Sequence, residues 1–206
     1  MQNSGVGQAS SRVADYFSAR ALDYQSRSSR FPWTWTRKRE AHAVRALVGD
    51  VAGADVLELG AGAGFYTREL VRGGAGHVWA VDISAAMLAS LPRGPITAVH
   101  GDAATVRLER RFPVLLCAGM LEFVADPLAV LANAAQHAEA QERFVILVPR
   151  SNLVGRMYRR FHRAHGFAIH LFDRAWFETA APRTGWSMAA AVRVFPFSLA
   201  VRLHPT

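Results

Sequence analysis

Three glycines at alternate positions follow an apolar run and precede a helix-like segment in the first third of the chain. The run Val56-Leu57-Glu58-Leu59 leads into Gly60, Gly62 and Gly64, and residues 65–72 then have the pattern of a helix. This order predicts a strand, a glycine turn and a helix. Because glycine has no side chain, a ligand can lie directly on the backbone of such a turn.

The residue types around the turn restrict the ligand. A dinucleotide turn has the pattern G-x-G-x-x-G and holds a pyrophosphate at the helix N-terminus, whereas in this chain Phe65 stands where the third glycine would be. A carboxylate at Glu58 would repel a diphosphate, but it can accept hydrogen bonds from a cationic amino group. The predicted ligand therefore carries an ammonium group and no phosphate, and S-adenosylmethionine has this chemistry.

Further apolar runs end in residues suited to a nucleoside. The run His77–Asp82 ends in an acid 24 positions beyond Glu58, where a carboxylate can bind both hydroxyls of a ribose. A third run, Ile96–His100, leads into Gly101-Asp102-Ala103, and a fourth, Phe112–Cys117, leads into Ala118-Gly119. The carboxyl ends of parallel strands meet at one edge of a sheet, so these residues are expected to lie together.

The segment 58–64 resembles the first signature of the class I (Rossmann-like) S-adenosylmethionine-dependent methyltransferases, and the later strand ends extend the resemblance over about residues 40–150. It implies that Asp102 contacts the adenine amine, that the backbone N–H of Ala103 contacts a ring nitrogen, and that the segment from Ala118 lies where the sulfonium meets the acceptor. The cofactor-binding residues expected on these grounds are Glu58, Gly60, Ala61, Gly62, Gly64, Tyr66, Asp82, Ile83, Asp102, Ala103, Ala118 and Gly119.

Helices and strands alternate after Asp55, which predicts right-handed crossovers and a parallel sheet. The expected fold is α/β: a doubly wound, seven-stranded, mainly parallel sheet with an antiparallel last strand, in three α/β/α layers with an N-terminal helical lid. Residues 1–10 are expected to be disordered, and residues 11–206 to form a single methyltransferase domain. Within that domain, residues 11–50 are predicted to form the lid, with helices over 11–26 and 36–48, and residues 151–172 a substrate cap.

Charge and composition exclude some classes of protein. The net charge of +8 is carried by arginines and the single Lys38, but the arginines are dispersed, so no nucleic-acid partner is expected. The single cysteine, Cys117, excludes an internal disulfide framework and stands where packing is expected rather than nucleophilic attack. Because the chain has neither a bilayer-length apolar run nor the features of a signal peptide at residues 1–8, a cytoplasmic location is expected.

Three histidines are candidate catalytic residues: His162, His165 and His170. Methyl transfer is an in-line displacement that needs a general base only when the acceptor arrives protonated, and histidine suits that role near neutral pH. His162 and His165 are three positions apart, so a helix would place them on one face. A structural role and metal ligation are the alternatives, but the chain lacks metal-binding spacings such as C-x-x-C and H-E-x-x-H, and no metal site is predicted.

The acceptor is predicted to be a small molecule, because the segments outside the core fold are short. The N-P-P-Y type sequence of similar nucleic-acid amino methylases is replaced by Ala118-Gly119-Met120-Leu121. The predicted function is methyl transfer from S-adenosylmethionine to an O or N atom, less readily C, of a small and partly hydrophobic acceptor. The alternatives are a non-catalytic S-adenosylmethionine-binding interaction protein and an RNA methylase.

A second hypothesis concerns the surface of the predicted cap. Leu153, Met157 and Phe161 alternate with three arginines at positions 156, 160 and 163. Such a basic amphipathic segment is typical of a peripheral contact with anionic lipid, where hydrophobic acceptors dissolve. The sequence does not determine the oligomeric state.

Overall fold

A computed structural model describes residues 33–206; the predicted disordered segment 1–10 and the predicted helix over residues 11–26 lie outside them. The helices are α1 Trp33–Val48, α2 Phe65–Arg72, α3 Ala85–Leu88, α4 Pro127–Gln136, α5 Leu153–Ala164 and α6 Arg174–Ala180, with single 3₁₀ turns at Leu121–Phe123 and Pro182–Thr184. The strands are β1 Asp55–Leu59, β2 His77–Asp82, β3 Ile96–His100, β4 Phe112–Ala118, β5 Ala138–Pro149, β6 Trp186–Val194 and β7 Ser198–Pro205.

All seven strands belong to one sheet with the order β3-β2-β1-β4-β5-β7-β6. Strand β7 is antiparallel to both of its neighbours, and the remaining pairs are parallel. The order reverses between β1 and β4, and in open parallel sheets a ligand binds at such a point, beyond the carboxyl ends of the strands. The predicted mainly parallel α/β sheet with an antiparallel last strand is confirmed.

Alternate residues of the central strands face opposite sides of the sheet. Val56 packs in the same cluster as Val44 of α1 and Leu70 of α2, whereas Leu57 packs with Leu131 of α4 and Phe177 of α6. Because both faces of the sheet are covered, its strands are apolar throughout rather than alternating. The result is the three-layer arrangement that the sequence predicts.

Several element boundaries differ from those that the sequence pattern predicts. Helix α1 begins at Trp33 rather than residue 36, and Trp35 makes an edge-to-face contact with Phe195. The pattern of residues 85–91 predicts a helix, but α3 ends at Leu88, four residues before Pro92. The pattern of residues 127–138 predicts a helix that α4 follows only to Gln136, and β5 begins at Ala138 rather than at the predicted Arg143. The His137 ring between them accepts a hydrogen bond from the Leu108 N–H.

Within residues 33–206, none of the helices combines the length and the apolar character needed to cross a membrane. The assignments of a lid to residues 11–50 and of a substrate cap to residues 151–172 stay predictions.

Candidate cofactor and acceptor site

The glycine turn at the end of β1 has a left-handed backbone at all three glycines, with φ of 76°, 54° and 79° at Gly60, Gly62 and Gly64. The N–H groups of Gly60 and Ala61 both donate to the Val81 carbonyl, at 2.8 and 3.0 Å. The Gly62 N–H donates to Asp82 Oδ2 at 2.7 Å. These three N–H groups are thus bonded within the protein rather than presented to a phosphate, which agrees with the predicted phosphate-free ligand.

Gly60 is required for a second reason, which is a close approach by the segment after β4. A Cβ atom at position 60 would lie 2.4 Å from the Cβ of Met120, well inside van der Waals contact. The turn after β1 and the segment after β4 can therefore meet only if residue 60 has no side chain.

Glu58 lies beneath the turn, with 2% of its surface exposed. Its Oε2 accepts a hydrogen bond of 2.6 Å from the Thr67 hydroxyl, and burial raises the pKa of the carboxyl to about 8. Glu58 is not among the described residues that line the neighbouring cavity. Through its hydrogen bond with Thr67 the Glu58 side chain links β1 to α2. The contact between Glu58 and the cofactor ammonium stays a prediction.

The acids after β2 and β3 lie at the same edge of the sheet. Asp82 accepts backbone hydrogen bonds from Gly62 and Ser84 on separate carboxylate oxygens, at 2.7 and 2.8 Å. Burial raises the pKa of Asp82, and these hydrogen bonds oppose that shift. Each carboxylate oxygen has a further lone pair, so Asp82 can still accept a pair of ribose hydroxyls. Asp102 Oδ1 accepts from the Ala104 N–H at 2.9 Å, which orders the turn after β3.

Asn133 of α4 forms hydrogen bonds with the backbone of the turn after β3. It is not among the functional residues predicted from the sequence. The buried amide of Asn133 donates to the carbonyls of Ala103 and Val106, both at 3.0 Å, and its oxygen accepts from Arg107. A sequence signal could have identified Asn133. It is the one polar side chain on the inner face of an apolar helix, within the run Leu128-Ala-Val-Leu-Ala-Asn133-Ala-Ala. Asn133 is a positioning residue for the predicted adenine-binding turn.

A cavity of about 780 Å³ opens along this edge of the sheet. It extends from the glycine turn past Met120 to α5 and the start of β7. The predicted site residues that line it are Gly60, Ala61, Gly62, Tyr66, Asp82, Ile83, Asp102, Ala103, Ala118, Gly119 and His162. Those that are not among its described lining residues are Glu58, Gly64, His165 and His170.

The three candidate histidines are not brought together. His162 has 7% of its surface exposed and packs against the rings of Tyr158 and Phe123, with centroids at 4.5 and 5.4 Å. The predicted shared face with His165 is wrong, because α5 ends at Ala164 and the exposed His165 ring bonds back to the Phe161 carbonyl. His170 is exposed beyond the helix. Of the three histidines, His162 alone lines the cavity.

Sequence reasoning missed several residues on the far side of the cavity. Glu40 of α1 and Glu122 of the 3₁₀ turn after β4 are carboxyls that line it, together with the aromatic rings of Tyr158 and Phe197. Glu122 is an acid inside the apolar stretch Met120-Leu121-Glu122-Phe123, which is a visible signal. Glu40 has no comparable signal, because its helix carries polar residues throughout.

Within residues 33–206, no three His, Cys, Asp or Glu side chains cluster in a way that could hold a metal ion.

The sheet order, the glycine turn and the acids after β2 and β3 define a class I S-adenosylmethionine-dependent methyltransferase. Residues 56–141 match the family model described as a methyltransferase domain, which confirms this class. The match covers β1 through the start of β5, the part of the chain that supplies the glycine turn and Asp82, Asp102 and Gly119.

Solved structures with the same fold include methyltransferases with a bound cofactor product. Magnesium protoporphyrin IX methyltransferase from Synechocystis PCC 6803, with bound S-adenosylhomocysteine, is 19% identical with a TM-score of 0.75, over 96% of this chain and 100% of the other. The N-methyltransferase NodS from Bradyrhizobium japonicum, also with S-adenosylhomocysteine, is 15% identical with a TM-score of 0.67, over 87% and 90% of the two chains. At these identities the likeness shows the shared fold.

A curated relative is more similar over a shorter stretch. The ribosomal RNA small subunit methyltransferase A of Paracoccus denitrificans is 39% identical over 66 residues, which is 29% of this chain. The match spans 23% of the length of that relative.

The residues present fit S-adenosylmethionine, the cofactor of this class. The cavity is lined by Asp82, which is predicted to bind the ribose hydroxyls, and by Asp102 and Ala103, which are predicted to contact the adenine. Gly60 and Gly62 also line the cavity, and a Cβ at position 62 would meet nothing within 4 Å, so the turn is open on that side. The segment Ala118-Gly119-Met120, predicted from the family resemblance to lie where the sulfonium meets the acceptor, also lines the cavity.

Replacing Gly60 with Ala is expected to weaken binding of S-adenosylhomocysteine by about tenfold or more, since about 1.4 kcal/mol of distortion has this effect. The added Cβ must displace Met120 or the turn itself. Gly49→Ala is the control, because Gly49 has a similar φ of 69° but open space around the new Cβ. Calorimetric titration of both variants measures the effect, and equal affinities would contradict the role of the Gly60–Met120 approach.

Asn133→Leu is expected to lower the free energy of unfolding by about 1–3 kcal/mol, because the buried Ala103 carbonyl loses its donor and the partly buried Val106 carbonyl loses one of two. It should also weaken binding of S-adenosylhomocysteine, because the turn at Asp102 and Ala103 loosens. Gln136→Leu, an exposed position of the same helix, is the control. Urea denaturation and calorimetry measure both quantities; a stable variant with unchanged affinity would show that the turn does not depend on Asn133.

Proposed function

We propose that this methyltransferase transfers a methyl group from S-adenosylmethionine to an oxygen or nitrogen atom of a small, partly apolar acceptor. The observation that carries the proposal is the extent of the cavity. It continues from the predicted cofactor-binding residues past Met120 to the aromatic side chains of Phe123, Tyr158 and Phe197. Its volume of about 780 Å³ falls in the range of small-molecule sites, roughly 300–1,000 Å³.

When bound, the cofactor supplies an electrophilic methyl group on a sulfonium. The protein residues provide orientation and exclude water, which are the main sources of rate acceleration in an in-line displacement. Met120 separates the two sides of the cavity, because it packs against the Gly60 turn while lining the wall beyond it. The rings of Tyr158 and Phe197, 5.0 Å apart, form an apolar surface for the acceptor.

The methyltransferases of known structure support a small acceptor by analogy. Those named above are, by their descriptions, a magnesium protoporphyrin IX methyltransferase and an N-methyltransferase. The RNA alternative has a different support, the 66-residue likeness to a ribosomal RNA methyltransferase. The dispersed arginines favour the small molecule over RNA. The third alternative, a non-catalytic binding protein, would bind the cofactor without turnover.

Transfer of radiolabel from S-adenosylmethionine to a fractionated metabolite extract tests the proposal directly. We expect label in a low-molecular-mass organic fraction, and none in RNA or protein added in parallel. Label in RNA alone would support the RNA methylase, and cofactor binding with no labelled product in any fraction would support the binding protein.

His162 is the histidine placed to act as a general base or to bind the acceptor. With the labelled product as the assay, His162→Gln is expected to lower kcat by about 10²–10⁴-fold, the usual contribution of a positioned acid or base. Affinity for S-adenosylhomocysteine should stay unchanged. His165→Gln is the matched control on the same helix, because His165 is exposed outside the cavity. Unchanged turnover in the His162 variant would leave His162 a structural role only.

We also propose that α5 rests on an anionic lipid surface. Leu153, Met157 and Phe161 are 73%, 65% and 57% exposed, and the four arginines of the helix, at positions 156, 159, 160 and 163, are exposed as well. Exposed apolar side chains between arginines suit the boundary of an anionic bilayer, where each arginine contributes about 1 kcal/mol.

Sedimentation with phosphatidylglycerol-containing vesicles checks this contact. We expect the protein to sediment at low salt and to be released by salt or by the double replacement Met157→Ser and Phe161→Ser. Val192→Ser, an exposed apolar position on β6, is the control and should sediment as before. Protein that stays in the supernatant at low salt would exclude the lipid contact.

A further inference from the structure

Glu122 is a buried carboxyl group on the wall of the cavity, in the 3₁₀ turn Leu121–Phe123 that follows β4. Only 4% of its surface is exposed. Its Oε2 atom is fully buried and makes no hydrogen bond to any of the residues 33–206. A buried polar atom without a partner costs free energy, so such an atom in a cavity wall indicates a group that binds there.

The charged and titratable groups around Glu122 do not neutralise it. Glu40 of α1 lies close enough for its charge to act on Glu122, and it has the same sign. Glu40 is itself engaged, since its Oε1 accepts a hydrogen bond of 2.5 Å from Ser198 and Arg37 acts on it. Cys117 of β4 is a buried thiol whose pKa is raised by burial, and His162 of α5 lines the same side of the cavity.

The remaining wall on this side is aromatic. Phe123, Tyr158 and Phe197 line the cavity, and the Tyr158 ring contacts that of Phe197 at 5.0 Å. Aromatic faces attract cations through their quadrupole, most strongly where water is excluded. Arg37 and Lys38 of α1 also line the cavity, and Arg37 acts on Glu40, but among the described residues no cation is found to act on Glu122. The Glu122 carboxyl and the nearby rings therefore favour a positively charged group over a neutral or negative one.

We propose that Glu122, assisted by Glu40, binds a protonated amino group of the methyl acceptor, so that the substrate class is an amine with an apolar or aromatic body. This inference rests on the proposed function, because it takes the cavity beyond Met120 as the acceptor side. Glu122 acts here as a specificity-determining residue that contacts the acceptor.

Three probes with one apolar body and different charges test the inference: phenethylamine, 2-phenylethanol and phenylacetate. Each is titrated into the protein saturated with S-adenosylhomocysteine, above about pH 8, where the Glu122 carboxyl carries its charge. We expect phenethylamine to bind at least about tenfold more tightly than the alcohol, which corresponds to one charge-assisted hydrogen bond. Phenylacetate should bind more weakly than the alcohol, because both carboxyls repel it.

Glu122→Gln keeps the size of the side chain and removes its charge. Phenethylamine and 2-phenylethanol should then bind this variant with about equal affinity. Glu122→Asp should restore part of the preference for phenethylamine. Affinity for S-adenosylhomocysteine should stay within about twofold in both variants. Glu109→Gln is the matched control, because Glu109 is exposed and is not among the described residues of the cavity wall.

A pH series on the unmodified protein provides a test that does not depend on a variant folding. Burial raises the pKa of Glu122 to about 8, so the carboxyl is protonated and neutral below that pH. Phenethylamine keeps its charge over this range, and its affinity should therefore rise between about pH 6 and pH 8. Burial raises the pKa of Glu40 as well, so its charge changes in the same direction. The His162→Gln variant, run in parallel, separates any contribution of the imidazole.

The outcomes separate the inference from the function on which it rests. Equal affinities for phenethylamine and 2-phenylethanol, or an unchanged preference in Glu122→Gln, would overturn the amine assignment while leaving the methyltransferase intact. A loss of S-adenosylhomocysteine affinity in Glu122→Gln, with the Glu109 control unaffected, would assign Glu122 to the cofactor instead. Failure of the unmodified protein to bind S-adenosylhomocysteine would contradict the proposed function itself.

Discussion

The absence of a side chain at Gly60 is the constraint on which the rest of the site depends. Strands β1 and β4 are adjacent and parallel, so the segments that follow them must pass each other at the edge of the sheet. They can do so because nothing projects from residue 60 towards Met120. The same backbone geometry lets the Gly62 N–H reach Asp82, and this bond links the turn after β1 to the acid after β2. The positions of these groups are therefore mutually dependent.

Much of the cavity wall that is predicted to hold the cofactor could be identified from the sequence, because it is encoded locally. A glycine turn or an acid at a strand end is visible in a short window, and parallel strands bring their carboxyl ends to one edge by topology alone. The residues 60–62, Asp82 and Asp102 were found in this way, and all of them line the cavity. The sheet order follows from the same regular alternation of strands and helices.

The acceptor side could be predicted less well, because it is assembled from distant segments. Glu40, Glu122 and Phe197 come from three elements that meet only after the sheet has formed. The spacing of His162 and His165 predicted a shared helical face, but the end of α5 at Ala164 separates them. Glu58 combines both cases. Its position near the end of a strand can be predicted from the sequence, whereas its hydrogen bond with Thr67 depends on the packing of α2 against β1.

Much of the far side of the cavity comes from outside the matched methyltransferase domain. Residues 56–141 supply the turn, the acids, Met120, Glu122 and Phe123, whereas Glu40, Tyr158, His162 and Phe197 lie before or after them. Under the proposed function, substitutions in these flanking segments can change which acceptor binds and leave the predicted cofactor-binding residues unaltered. Descendants of one ancestral gene could acquire new substrates by changing α1, α5 and the start of β7, and they would still share a recognisable central segment.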